Sequence, residues 1–160
     1  MKFTIILPPK AQKRARSGAR LIKGAGKSGQ DIAVPTRPHT DKDQRTEQNK
    51  LMALMYEHRP PMPFEGPVML GLKVFLPIPK KSKKWQAAAL AGEIRPITKP
   101  DLDNLEKQIK DCAKGVFWLD DKQVVGHLPE FGKYYGYPAR WEVEIVPFEW
   151  KPKQNLFTEA

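Results

Sequence analysis

One stretch in the middle of the chain places an aliphatic residue at every second position: Val68, Leu70, Leu72, Val74 and Leu76. Because alternate side chains of a strand share one face, this pattern predicts a long β-strand. Met69 and Phe75 on the opposite face indicate that the strand is partly covered on both sides. Pro77 ends it.

Three shorter segments also have the character of strands. Residues 2–7 form an apolar run that stops at a pair of prolines. Residues 123–131 are apolar enough for another strand, and residues 141–145 alternate between hydrophobic and acidic side chains. The intervening loop, 132–140, predicts that these last two strands pair as a hairpin.

Three segments are predicted to be helical. The first covers about 40–58, where apolar residues recur at helical spacing. The second is short and lies between Ser82, a suitable N-cap, and Gly92, a suitable terminator. The third runs from Asp103 to about Lys114 and ends at Gly115.

These elements predict an α/β (α+β) fold in one compact domain. We expect a small mixed sheet of about four strands, two main helices and a short inserted helix, in the order β-α-β-(α)-α-β-β. The length of 160 residues suits one domain, and 40% hydrophobic residues are enough for a core. The domain is predicted to span 1–148, with a flexible basic arm at 10–40 and a frayed tail at 149–160.

Cysteine and histidine are scarce. A single cysteine, Cys112, excludes an internal disulfide and a cysteine-based zinc site, and three scattered histidines argue against a zinc cluster. The N-terminal apolar run is too short for a signal peptide or a membrane span. We therefore expect a cytoplasmic protein with no membrane partner.

Positive charge is concentrated near the N-terminus. The chain has a formal net charge of +10, and residues 1–42 hold ten basic residues against two acidic ones. This balance favours a polyanionic partner, most often nucleic acid, although a membrane surface or a solvated loop without a partner are alternatives. The candidate DNA-binding residues are Lys10, Lys13, Arg14, Arg16, Arg20, Lys80, Lys81, Lys83, Lys84 and Lys99.

Trp85 directly follows four of these lysines. The lysines could hold phosphate while Trp85 stacks on a base. The equally weighted alternative is that Trp85 packs on the core beneath a solvated rim of lysines.

Negative charge is concentrated in one short segment. Residues 101–121 contain six acids and three lysines: Asp101, Asp103, Glu106, Asp111, Asp120 and Asp121, with Lys107, Lys110 and Lys114. If the chain is extended after Pro100, Asp101 and Asp103 project to the same side. The helix that follows is short enough for its far end to return the Asp120–Asp121 turn towards them.

Clustered carboxylates favour a hard divalent cation, because like charges at close range oppose ionisation. Mg²⁺ prefers oxygen ligands and keeps several waters, so two or three aspartates and a substrate phosphate suffice. A basic surface for the DNA backbone beside an acidic metal site is the charge distribution expected of a nuclease.

Each acid also has an ordinary structural interpretation. Asp103 with Glu106 three residues later suits the N-terminus of a helix, and Asp120–Asp121 suits a turn before a strand. Lys107 lies four residues after Asp103 on the same helical face, so the two could form a surface ion pair.

The order and spacing of these residues resemble the RusA-type Holliday-junction resolvases of bacteria and prophages. The resemblance rests on residues 99–107, which read KPDLDNLEK, on Lys110–Asp111 and Gly115, and on residues 118–123, which read WLDDKQ. It implies a compact α/β homodimer that makes paired symmetric nicks in four-way DNA junctions, in recombination, repair or phage DNA processing. Mg²⁺ is the implied cofactor, for which Mn²⁺ can substitute, and no small-molecule cofactor is implied.

The resemblance also implies residue roles. Asp101, Asp103 and Asp121 correspond to the metal-binding catalytic acids and Lys107 to the catalytic lysine, with Asp120 as a second-rank metal ligand. Two competing functions stay open on the residues alone. One is a non-catalytic nucleic-acid-binding protein, and the other is a different Mg²⁺-dependent phosphodiesterase or a nucleotide-sugar enzyme that uses the Asp101-x-Asp103 pair.

Overall fold

The computed structural model describes residues 1–11, 19–24, 29–35 and 42–149. These residues form a mixed α+β fold, as predicted. The elements in chain order are β1 (Lys2–Ile5), β2 (Ala19–Ile22), β3 (Ile32–Pro35), α1 (Lys42–Glu57), β4 (Val68–Leu76), α2 (Lys83–Leu90), α3 (Leu102–Ala113), β5 (Val124–His127), β6 (Gly132–Tyr135) and β7 (Arg140–Pro147).

Strand β4 is the centre of a five-stranded mixed sheet. On one side it pairs antiparallel with β7, which pairs antiparallel with β1. On its other side, the first half of β4 pairs in parallel with β5 and the second half with β6. The strand predicted from the aliphatic alternation is confirmed at both of its ends, Val68 and Leu76.

The predicted hairpin between residues 123–131 and 141–145 is wrong. Strand β6 lies in the stretch predicted to be a loop, and both β5 and β6 pair with β4 instead of with β7. Strands β4 and β7 have the most hydrophobic inward faces, so pairing them buries more apolar surface than a local hairpin would. Tyr134 of β6 also stacks on Phe75 of β4, with ring centroids 5.2 Å apart.

Helices α1 and α3 contribute the buried side chains that pack against the apolar residues of the sheet. The largest fully buried residues of these two helices are Leu51, Met55, Leu105 and Ile109. Cys112 of α3 is also buried, and burial raises the pKa of its thiol to about 12. This cysteine is therefore a residue of the hydrophobic core.

Three predictions about the ends of helices are also confirmed. Ser82 is the N-cap of α2, and its hydroxyl oxygen accepts a hydrogen bond from the backbone N–H of Trp85 at 3.3 Å. Gly92 and Gly115 follow α2 and α3 with φ angles of 80° and 75°, which favour glycine. The predicted start of the first helix near residue 40 lies outside the described residues, and α1 is described from Lys42.

The prediction of a flexible arm over residues 10–40 is wrong for two segments. Strands β2 and β3 pair antiparallel within it, from Ala19 opposite Pro35 to Ile22 opposite Ile32. The side-chain carboxylate of Asp31 accepts a hydrogen bond from the N–H of Gly24 across the turn. Few apolar residues lie in this region, but they are grouped in two runs with strand propensity on either side of a segment whose sequence is rich in glycine.

No helix in the described part of the chain is both long and apolar enough to cross a membrane. Residues 150–160 of the predicted tail, like 12–18, 25–28 and 36–41 of the predicted arm, lie outside the described residues.

We expect Ile109→Ala to lower the free energy of unfolding by about 2–5 kcal/mol, because it leaves a cavity between α3 and the sheet. Ile109 is 0% exposed. The matched control is Ile97→Ala, at a position 97% exposed, for which a change within about 0.5 kcal/mol is expected. Urea unfolding of both variants measures the difference, and equal effects would contradict the packing of α3 described above.

Candidate active site along helix α3

The chain enters α3 through an exposed acidic N-terminus. Asp101 is the N-cap residue, with extended backbone angles, and its side chain makes no capping hydrogen bond. Asp103 lies in the first turn and is exposed. The expectation that Asp101 and Asp103 share one face of an extended segment is wrong, because α3 already begins at Leu102. Asp101 instead occupies the N-cap and Asp103 the first turn of the helix, so both lie at the N-terminal end of α3.

Lys107 and Asp111 continue the same helical face. They lie four and eight residues after Asp103, so each step is about 6 Å along the helix axis. Within the described residues, Lys107 forms no ion pair with Asp103, whereas its charge does act on the carboxylate of Asp111. The surface ion pair considered from the sequence is therefore not formed, and the exposed ammonium group of Lys107 lies between two acidic groups.

The second acidic segment returns beside α3 through a tight turn. The N–H of Gly115 donates to the carbonyl of Trp118 at 2.6 Å, and a β-bridge joins Trp118 to Phe64. The indole of Trp118 is fully buried, and its Nε1–H donates to Oδ1 of Asp121 at 3.0 Å. The Asp121 carboxylate is therefore oriented by a core side chain.

Asp120 has a structural role in the same turn. Its side chain accepts a hydrogen bond from the N–H of Lys122, and the amide oxygen of Gln123 accepts from the N–H groups of Leu119 and Asp120. Asp120 also forms an ion pair with Lys114 at 3.4 Å. The hydrogen bond from Lys122 is the main cause that lowers the pKa of Asp120 below its ordinary value, and Lys114 contributes. The turn interpretation is thus confirmed for this residue.

Asp111 is electrostatically different from Asp120. Partial burial raises the pKa of its carboxyl group above the ordinary value, and the negative charge of Asp121 adds to this effect. Lys107 and Lys114 oppose it. A half-buried carboxylate held next to another one is costly for the fold, which is typical of residues retained for function.

Glu106 does not complete an N-terminal capping arrangement with Asp103. Its carboxylate instead pairs with Lys110 one turn later and with Nε2 of His127 on β5, at 3.0 Å. Burial alone would raise the pKa of Glu106, but the hydrogen bonds from Lys110 and His127 lower it below its ordinary value. Glu106 therefore fastens α3 to the sheet.

The residue types along α3 suit a hard divalent cation, since carboxylate oxygens are its preferred ligands. The carboxylates of Asp101 and Asp103 make no hydrogen bond or ion pair with other described residues, so their oxygens are available. Across residues 1–11, 19–24, 29–35 and 42–149, however, no three Asp, Glu, His or Cys side chains are grouped closely enough to form a metal site by themselves. The structure shows Asp101 and Asp103 at the start of α3, and Asp121 electrostatically coupled to Asp111 two turns later.

The predicted DNA-binding residues fall into three groups. Lys80, Lys81, Lys83, Lys84 and Lys99 are exposed. Lys10 forms an ion pair with Glu47 of α1 at 3.1 Å, and its carbonyl accepts a hydrogen bond from Gln108 of α3. Lys13, Arg14 and Arg16 lie outside the described residues, and for Arg20 only the backbone, in β2, is described.

Trp85 packs against another aromatic ring beside exposed lysines, as its structural alternative predicted in part, but it does not belong to the hydrophobic core. Its ring is half-buried and contacts the ring of Tyr135 edge to face, with centroids 5.4 Å apart. The lysines at positions 83 and 84 of the same helix are exposed. The region is thus a basic rim over a packed aromatic pair.

Two residues that shape this site, Asp111 and Trp118, carry no predicted role. The i, i+4, i+8 spacing of Asp103, Lys107 and Asp111 is a sequence signal that points to Asp111. The hydrogen bond from Trp118 to Asp121 depends on the complete burial of Trp118, which no sequence pattern indicates.

Comparisons with known proteins bear on the family of this chain. The sequence profile described as endodeoxyribonuclease RusA matches residues 7–146. A Bacillus subtilis (strain 168) protein named YqaN, described as uncharacterized, is 35% identical over 148 residues, which cover 91% of this chain and 94% of that protein. The matched region includes β4, α3 and the turn with Asp121.

We expect Asp111→Asn to increase the free energy of unfolding at neutral pH. The pKa of Asp111 is raised in the folded protein, so folding opposes its ionisation and stability falls as the pH rises through that pKa. Below about pH 3 the carboxyl group is protonated in both states, and the variant should match the wild type.

Asp120→Asn should show the opposite sign, because the pKa of Asp120 is lowered in the folded state. Its loss should destabilise the protein at neutral pH, and the difference should shrink as the pH falls through that lowered pKa. Thermal unfolding of the three proteins across this pH range measures both effects. A stabilisation by Asp111→Asn that does not depend on pH would contradict the electrostatic explanation.

Proposed function

The chain belongs to the RusA endodeoxyribonuclease family, and we propose that it resolves four-way DNA junctions by paired, symmetric, metal-dependent nicks. The observation that supports this most strongly is the match of nearly the whole chain to the family, together with the exposed row of Asp101, Asp103 and Lys107 on α3. Neither competing function accounts for both.

We propose Mg²⁺, or Mn²⁺ in its place, as the cofactor, held by Asp101, Asp103 and Asp121 with oxygens of the substrate phosphate. A divalent ion in such a site supplies a more acidic bound water and neutralises charge on the phosphodiester. Asp120 remains a second-rank ligand, because its carboxylate already caps the turn and pairs with Lys114. Asp101 and Asp103 lie at the start of α3, whereas Asp121 lies in the turn that follows the helix. Because these carboxylates do not form a complete site by themselves, substrate phosphate is expected to complete the ligand set.

Lys107 is the cationic group of the proposed site. Its ammonium group is exposed and makes no ion pair within the described residues, so it is available to the scissile phosphate. In that position it would stabilise the negative charge that develops in the transition state. Trp118 would serve this chemistry indirectly by holding the Asp121 carboxylate.

The exposed lysines at 80–84 and Lys99 are proposed to bind the phosphate backbone of the junction arms. Lys99 lies directly before the Pro100–Asp101 segment, so a phosphate bound by Lys99 would lie close to the acidic N-terminus of α3. Resolution needs two symmetric cuts, and we propose a two-fold homodimer that provides two such sites.

The deciding experiment compares cleavage of a synthetic four-way junction with that of a linear duplex, with Mg²⁺ and with EDTA. Junction-specific, Mg²⁺-dependent, paired nicks are expected. Binding without cleavage would favour the non-catalytic alternative. Equal cleavage of duplex and junction would favour a general phosphodiesterase.

Asp101→Asn, Asp103→Asn and Asp121→Asn should each lower the cleavage rate by at least about 10²-fold, since each removes a metal ligand. Junction binding measured in EDTA should be retained, because no negative charge is added near the phosphates. Glu93→Gln is the matched control, as it removes one exposed negative charge outside α3. Wild-type rates in any of the three aspartate variants would remove that residue from the proposed site.

Lys107→Ala should lower the single-turnover cleavage rate by roughly 10²-fold or more, with near-normal folding and junction binding. Lys107→Arg should recover part of the rate, because it keeps the charge but places it differently. Lys50→Ala on α1 removes an equal charge that is paired with Glu47, and it should cleave normally. An unchanged rate for Lys107→Ala would show that Lys107 is only a solvated residue of α3.

A further inference from the structure

Lys133 of β6 makes an unusual pair of hydrogen bonds. Its half-buried ammonium group donates to the carbonyl of Thr98 at 2.9 Å and to the carbonyl of Pro100 at 3.0 Å. Both acceptors are backbone groups more than 30 residues earlier in the chain. Lys133 forms no ion pair within the described residues, so its charge is directed at these two carbonyls.

The two carbonyls lie on either side of Lys99, and that of Pro100 directly precedes Asp101. They therefore define the path by which the chain reaches the N-cap of α3. Hydrogen bonds from a charged donor are stronger than neutral ones, and two bonds from one ammonium group restrain a segment in both position and direction. The Asp101 carboxylate has no capping bond of its own, so its placement depends on this backbone.

The backbone of Lys133 is itself held in place by the sheet and by Arg95. Lys133 lies opposite Val74 in the parallel pairing of β6 with the central strand β4. Its carbonyl accepts a hydrogen bond from Arg95 at 3.2 Å, and the Arg95 guanidinium lies 3.6 Å from the centroid of the Tyr134 ring. The connection from α2 to α3 is thus attached to β6 at residue 95 and again at residues 98 and 100.

We propose that Lys133 is a positioning residue for catalysis, which fixes Asp101 relative to Asp103 and Lys107 by holding the backbone before α3. This inference rests on the proposed nuclease function. Lys133 is not proposed to contact DNA or metal. A displacement of a reacting group by about 1 Å is enough to lower a rate by about 10²-fold, so the effect of losing this anchor should be large.

A purely structural role makes a different prediction. If Lys133 only stabilised the fold, its loss would lower the unfolding temperature, and at a temperature where the variant stays folded the cleavage rate and metal binding would be unchanged. A positioning role predicts changes in both at that temperature. It also predicts that junction binding in EDTA changes little, because Lys133 itself is not proposed to contact DNA, and Lys99, whose neighbouring carbonyls it holds, is one of five exposed lysines proposed to bind the phosphate backbone.

The test variant is Lys133→Met, which keeps the length of the aliphatic chain and removes the donors. Lys73→Met is the matched control: Lys73 is opposite Gly132 in the same strand pair, and its ammonium group is paired with Glu130 instead of the backbone before α3. Lys133→Arg tests for rescue, because arginine keeps the donors and the charge. If Lys133→Met is not predominantly folded by circular dichroism, Lys133→Gln, which retains one donor group, takes its place.

Three measurements are made on each protein: single-turnover cleavage of a bound four-way junction, junction affinity in EDTA, and Mn²⁺ binding to the free protein by electron paramagnetic resonance. For Lys133→Met we expect a rate lower by about 10²-fold, a junction affinity that changes far less than the rate, and Mn²⁺ binding weaker by about 10-fold. Lys133→Arg should recover a large part of both losses, and Lys73→Met should resemble the wild type.

Wild-type cleavage and Mn²⁺ binding by folded Lys133→Met would overturn the proposal, as would equal losses in Lys73→Met. Failure of the wild-type protein to cut any junction would instead contradict the proposed function. In that case Mn²⁺ binding by wild type and Lys133→Met still tests whether Lys133 positions the acidic segment.

Discussion

The packing of helix α3 on the central sheet is the interaction on which the rest of the molecule depends. Its apolar side, with Leu105, Ile109 and Cys112, is buried against the sheet and α1, and this burial determines the rotation of the helix about its axis. Once that rotation is set, Asp103 and Lys107 must face outward, because they occupy the opposite positions of the helical repeat. One hydrophobic contact therefore supports the core and presents the acidic row.

Two acids of this region stabilise the folded state when they are ionised, and a third destabilises it. Asp120 and Glu106 are held by hydrogen bonds and by lysine or histidine partners, and their pKa values are lowered. Asp111 is half-buried near Asp121 and its pKa is raised. The carboxylates of Asp101 and Asp103 have no partner among the described residues, so they are available to a cation or a substrate. The two kinds cannot be distinguished by residue type.

Two side chains support the proposed site, one three residues from the acid that it holds and the other 33 residues from the backbone that it holds. Trp118 orients Asp121 from the core, and Lys133 holds the backbone before Asp101 from strand β6. Both side chains act as hydrogen-bond donors. Trp118 donates to the Asp121 carboxylate, and Lys133 donates to the backbone carbonyl of Pro100. This arrangement leaves the outer side of the carboxylates open, which suits a substrate as large as branched DNA.

The sequence by itself determined the local elements and the candidate residues. The alternation that ends at Leu76, the Ser82 cap and the helix that ends before Gly115 all followed from local periodicity and capping chemistry, which depend on neighbours within a few residues. The motif around Asp101 was specific enough to indicate the family. Tertiary structure alone decided that β5 and β6 pair with β4, because strand pairing is settled by competition between apolar faces far apart in the chain. It also decided which donor reaches which acid, since a hydrogen bond such as that from Lys133 depends on distances that only the packed fold defines.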